Sequence, residues 1–153
     1  MSAQGTHPPH GYQRRGFHRF DTPPKLPDGY LQHGYYDQNG IPFKELFVDW
    51  PKEIALNFKK QKPRMTQSSI RNFYNEVKTI AGLVRADEAR FEENLVRLHK
   101  LPSLVHYAVY KKESNLPELF LEFVEKNYPE AQKSREHLKL FADHFMCVIA
   151  YLK

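Results

Sequence analysis

Cysteine is nearly absent from this chain of 153 residues. Cys147 stands alone, so no internal disulfide can form, which argues against a small secreted scaffold and for a reducing compartment. Long apolar runs are missing as well. The longest, 145–152, spans eight residues, far short of the roughly 20 that a membrane span needs. The first eleven residues are polar and rich in His and Pro, unlike a secretion signal. HExxH, paired cysteines, Walker A and GxGxxG patterns do not occur, nor does a His five residues after any Arg, the spacing of one class of helical ribonuclease. A mean hydropathy of −0.69 and a hydrophobic fraction of 41% point to a soluble cytosolic protein with one core and an unfolded part.

What is present does not supply a catalytic centre either. Eight histidines invite a metal reading. His99 and His106, however, like His137 and His144, stand seven apart, two turns rather than the single turn of a helical chelate. Surface or half-buried structural histidines fit better. Cys147 lies among Phe145, Met146, Val148 and Ile149, the setting of an inert buried thiol rather than a nucleophile. Glu92/Glu93 and Asp87/Glu88 read as solvated helix faces and N-terminal charges. These features predict no enzyme, no metal and no cofactor.

Charge is present and unevenly placed. The net charge is +5, and residues 58–85 carry seven basic groups against Glu76 alone. Every other stretch is close to balanced. A localised positive field attracts polyanions, although a solvated lysine-rich face is the plainer alternative.

Glycine and proline crowd the N-terminus: six of seven glycines and six of eleven prolines fall within 1–42. No hydrophobic period runs through that stretch, which predicts a disordered tail over 1–42. Its Arg–aromatic runs, such as Tyr12 to Phe20, have a composition that can stack on single-stranded bases or be inert. From residue 43 the period becomes helical. Phe43, Leu46, Phe47, Trp50, Ile54 and Phe58 share one stripe. Pro51 either sits in the first turn of a helix or marks a kink, and Pro63 stops the element. Thr66 is a good N-cap for a second helix carrying Ile70, Phe73, Tyr74, Val77, Ile80, Ala81 and Val84. A third is expected over 87–99, a fourth opened by Pro102, a fifth by Asn115 and Pro117 and ended at Tyr128-Pro129, and a last over 130–152. Residues 43–153 thus read as an all-α compact bundle of five to six helices.

Opposite the apolar stripe of the second helix lie Arg71, Asn75, Lys78, Gly82 and Arg85, at steps of four and three that share a face free of Asp and Glu. From Arg71 to Arg85 is ~21 Å at a rise of about 1.5 Å per residue, enough to follow several phosphates. Lys60, Lys62 and Arg64 precede the helix N-terminus, where the dipole also favours anions. Gly82 costs about 1 kcal/mol relative to Ala. It suits either a close approach to a ligand backbone or an ordinary helix crossing.

The run Met65-Thr66-Gln67-Ser68-Ser69-Ile70-Arg71-Asn72-Phe73-Tyr74 resembles the Leu-Thr-x-Ser-x-Ile-Arg-x-hydrophobic stretch of the small helical subunit of type III-A (Csm) CRISPR–Cas effector complexes. Tyr107-Ala108-Val109-Tyr110-Lys111 is similar to that family's Tyr-Ala-x-x-Arg segment, with Lys111 where Arg is usual. Residues 138–152 resemble its closing helix. The likeness spans 43–153, and 1–42 departs from the family pattern.

That resemblance implies a non-catalytic subunit present in more than one copy, stacked along a crRNA-guided complex beside its backbone and large subunits. It implies that guide–target RNA is met through backbone and shape, because sequence is read by base pairing. Arg71 and Lys111 become the expected RNA contacts carried by the motifs. Lys60, Lys62, Arg64, Asn75, Lys78 and Arg85 rest on helical geometry. The expected partners are crRNA, target RNA, other Csm subunits and further copies of the chain, in the cytoplasm and without a membrane. A helical interaction module whose basic surface meets an acidic protein is the rival reading, and a small metal-dependent helical nuclease a third.

Overall fold

In a computed structural model of the chain, residues 23–63, 65 and 67–152 are described. Among them five α-helices follow one another: α1 Asp49–Lys60, α2 Gln67–Ala86, α3 Phe91–Tyr110, α4 Glu118–Ala131 and α5 Arg135–Ala150. The all-α expectation holds. A 3-10 turn over Lys44–Leu46 precedes α1, and Pro51 sits in the first turn of that helix, where its missing N–H leaves no helical bond unmade. Lys59 and Lys60 close α1, the end at which the helix dipole favours cations.

The expected break at Pro102 does not occur. Helix α3 runs through it, because Leu98, Leu101, Val105 and Val109 form one buried stripe on both sides of the proline. Packing along that stripe outweighs one lost backbone bond. Pro129 likewise lies inside the last turn of α4. Helix α5 begins later than expected, at a cap supplied by Ser134, whose hydroxyl accepts from the His137 amide at 3.1 Å. The Thr66 cap falls outside the described residues.

Helix α5 is central. It packs on α1, α2 and α4, while α3 bridges α2 and α4. Half-apolar helices surround it, but α5 itself buries residues on several sides, among them Leu138, Phe141, Phe145, Val148 and Ile149. Rings of Phe58, Phe120, Phe123, Phe141 and Phe145 meet at 5.3 to 6.2 Å, within the range of favourable edge and offset contacts. One end of the bundle collects the start of α2 and α4 and the finish of α1, α3 and α5. The Gln61 side-chain Oε1 there accepts from the Leu119 backbone amide at 2.7 Å, and the Gln67 side-chain Nε2 donates to the Ile149 backbone carbonyl at 3.2 Å.

The tail expectation needs correction over 23–42; over 1–22 it lies outside the described residues. Residues 23–42 wrap across α1, α4 and α5, with Tyr30, Leu31 and Tyr35 buried. The Tyr35 hydroxyl donates to Asn127 Oδ1 at 2.7 Å, and Asn127 Nδ2 donates to Tyr30 Oη at 2.8 Å and to the Phe123 carbonyl at 2.8 Å. Tyr30 Oη lies 2.6 Å from His144 Nε2, and His144 Nδ1 lies 2.6 Å from the Leu46 carbonyl oxygen. That carbonyl can only accept, so His144 carries its proton on Nδ1 and Tyr30 donates to Nε2. Burial holds the imidazole neutral and lowers its pKa to about 4. A turn at Asp37 to Ile41, in which Asp37 Oδ1 accepts from the amides of Asn39 and Ile41, folds the segment back into a Tyr36–Pro42 bridge. Gly34 has φ +74°, and a Cβ there would stand 2.9 Å from a Glu130 carboxylate oxygen. Only glycine fits such a position. No hydrophobic period betrays this strap because it is anchored by two tyrosines and a polar network rather than by a stripe.

Candidate nucleic-acid interface

Helix α2 presents two unlike flanks. Toward α3 it offers Glu76, which Arg97 grips with two bonds, Nε to Oε2 at 3.0 Å and a terminal nitrogen to Oε1 at 2.8 Å. This bidentate pair ties α2 to α3 and removes the one carboxylate of the basic stretch from the rest of the helix. On the flank nearer α5 stand Arg71, Asn75, Lys78 and Arg85, all exposed. The structure brings these four together as a single edge.

Nothing local consumes their charge. Among the described residues, Arg71, Lys78 and Arg85 form no ion pair. Arg71 makes only a 3.4 Å contact to Gln67 Oε1, one turn back. Tyr74, half-buried beside Phe145 at a ring distance of 5.5 Å, underlies the edge. Burial raises its phenol pKa, Asp143 adds to that, and Arg71 opposes it. Gly82 lies in the middle of the row. A Cβ built there meets nothing within 4 Å, so among the described residues no helix crossing needs a small residue at this point.

The other sequence candidates are placed differently. Lys60 ends α1 and Lys62 lies in the following loop, both exposed at the end of the bundle where α2 begins. Arg64 lies outside the described residues. Lys111 is the C-cap of α3, its amide donating to the Tyr107 carbonyl at 2.9 Å. Helix α3 packs on the Glu76 flank of α2, so Lys111 is not brought onto the basic edge.

Sequence reasoning missed two cations. Arg135 and Lys139, one turn apart at the start of α5, line a notch of about 200 Å³ with Ala81, Arg85 and Glu136. Only the pairing of α2 with α5 brings them to Arg85. The signal available in the sequence was the i, i+4 spacing of two cations at the foot of the last helix.

Three of the histidines make structural hydrogen bonds within the fold. His144 uses both nitrogens in the strap network, His137 Nδ1 faces Ser134 Oγ at 2.7 Å, and His99 meets the Tyr128 hydroxyl. Burial raises the pKa of the half-exposed Cys147 thiol, and nearby Asp143 raises it further, which lowers the thiolate fraction on which nucleophilicity depends.

Among the described residues, then, the fold is a helical bundle with a cationic edge along α2 that carries no ion pair. The sequence family described as Csm2 Type III-A matches residues 43–153, and the chain belongs to that family. It is therefore a small structural subunit of type III-A Csm complexes, as the Met65–Tyr74 motif implies. No curated protein and no solved structure matches it. The strap over 23–42 precedes the matched residues. No helix among the described residues is long and apolar enough to cross a membrane.

Proposed function

We propose that this chain is a non-catalytic subunit of a cytoplasmic type III-A CRISPR interference complex that holds crRNA paired to target RNA by the sugar-phosphate backbone. The observation that carries this reading is the α2 edge, where Arg71, Lys78 and Arg85 stand exposed and without carboxylate partners among the described residues. Cations two turns apart lie about 10.5 Å from one another, so the edge engages non-adjacent phosphates of one strand. Contacts of this kind fix position without reading bases. Lys60 and Lys62 extend the field at the start of α2, and Arg64 and Lys111 add cations that steer RNA toward it. Neighbouring copies of the chain and the backbone and large Csm subunits complete the grip.

The test is retention of unrelated single-stranded RNAs on a filter by the wild-type chain and by the pair Arg71→Glu and Lys78→Glu. Each phosphate contact contributes a slope of about −0.7 in log K against log salt. Removing two contacts flattens the slope by about 1.4, equally for every sequence. Unchanged affinity and slope in a folded double variant refute the role of α2. Binding of an acidic protein but not RNA by the wild type selects the interaction-module reading instead.

A further inference from the structure

We infer that the notch between α2 and the foot of α5 is a phosphate-binding site, in which Arg85, Arg135 and Lys139 together hold one phosphodiester and so set the register of RNA along the α2 edge. This rests on the RNA reading and adds α5 to it. Three cations from two helices converge on one concavity of about 200 Å³. Concave walls focus a positive field more than a flat row does. The edge along α2 fixes a strand's direction, but cations at regular intervals leave it free to slide. A pocket that admits one phosphate from three sides removes that freedom.

The Arg135 guanidinium carries the argument. Its side chain is 32% exposed and forms ion pairs with Glu88 and Glu136, each at 3.6 Å, longer than a hydrogen bond. No other hydrogen bond engages it among the described residues. A planar fork of five donors held half-buried, its ion pairs too long to be hydrogen bonds, matches the bidentate geometry of phosphate. The two glutamates are 79% and 64% exposed and free to turn toward water when an anion enters. With both counted, the notch keeps one net positive charge. Ala81 lines the notch and Gly82, next in the helix, adds no side chain beside it.

The double variant Arg135→Gln and Lys139→Gln tests the inference in the full-length chain, with Lys126→Gln on α4 as a control and a thermal melt to verify folding. Loss of that one phosphate contact, at about −0.7, corresponds to a roughly 5-fold weaker binding at 0.1 M salt and a slope flatter by about 0.7. Two RNA arms identify the source of the phosphate: the same oligomer with a 5′-hydroxyl and with a 5′-phosphate. Equal losses in both arms are the expected result and support an internal diester. A loss confined to the 5′-phosphorylated oligomer overturns the register role and makes the notch an end-binding site. Wild-type affinity in this variant, alongside weakened binding by the Arg71→Glu and Lys78→Glu pair, overturns the notch and leaves the α2 reading standing. Wild-type affinity in both variants overturns both.

Discussion

Gly82 offers a perturbation whose two consequences have opposite signs. It sits within the last turns of α2, between Lys78 and Arg85, and is the only glycine after residue 40. A mid-helix glycine costs about 1 kcal/mol relative to alanine, because its backbone loses more freedom on folding. A Cβ at this position meets no heavy atom within 4 Å, so Gly82→Ala adds no clash to offset the gain. The variant should be more stable by about 1 kcal/mol, a rise in melting temperature of about 2–4 °C for a chain of this size. Gly82→Gln keeps good helix propensity and places a longer side chain directly on the RNA path. It should also melt higher than wild type but bind RNA several-fold more weakly. The assay pairs urea unfolding with filter binding on the same preparations. A destabilised Gly82→Ala refutes the open flank described for α2. A stabilised Gly82→Gln with wild-type affinity refutes the close approach of RNA to this part of the helix.

Other expectations follow from the strap. His144 is neutral in the fold with a pKa near 4, against about 6.5 when unfolded. The unfolded chain therefore binds more protons between those values, and stability rises with pH across that window. It is complete above pH 6.5 and lost as pH falls toward 4, amounting to about 3 kcal/mol. Urea melts of wild type and His144→Gln between pH 4 and 7.5 should show this component only in the wild type; equal pH profiles count against it. Tyr35→Phe leaves the buried Asn127 Oδ1 without its donor and should cost about 1–3 kcal/mol in urea unfolding with RNA affinity unchanged. A variant as stable as wild type would mean that water replaces the hydroxyl.

The helices were legible because their apolar spacing repeats. Ile70, Val77, Ile80 and Val84 announce α2, and all four are fully or nearly fully buried. Proline was the poorer guide. Pro51 marks a first turn as its chemistry suggests, yet Pro102 lies inside α3, where the stripe from Leu98 to Val109 continues past it. A local rule about one missing N–H was overruled by packing that the sequence shows only when the two flanking segments are read as one. The α2 edge was legible for the same reason as the helices: its cations repeat at helical steps. The notch was not, since Arg85 and Arg135 are fifty residues apart and meet only through the pairing of α2 with α5. The strap escaped notice because Tyr30 and Tyr35 bury themselves singly. Turn chemistry at Asp37 to Gly40 was the local sign that the chain doubles back there.

Tyr30 and Tyr35 precede the residues that the Csm2 family shares, yet they close hydrogen bonds deep within the helices that follow. A chain trimmed at residue 43 would retain all five helices while opening Asn127 and His144 to solvent. The stretch shared by ancestry and the stretch joined by buried hydrogen bonds thus differ at their start, the second reaching back to Tyr30.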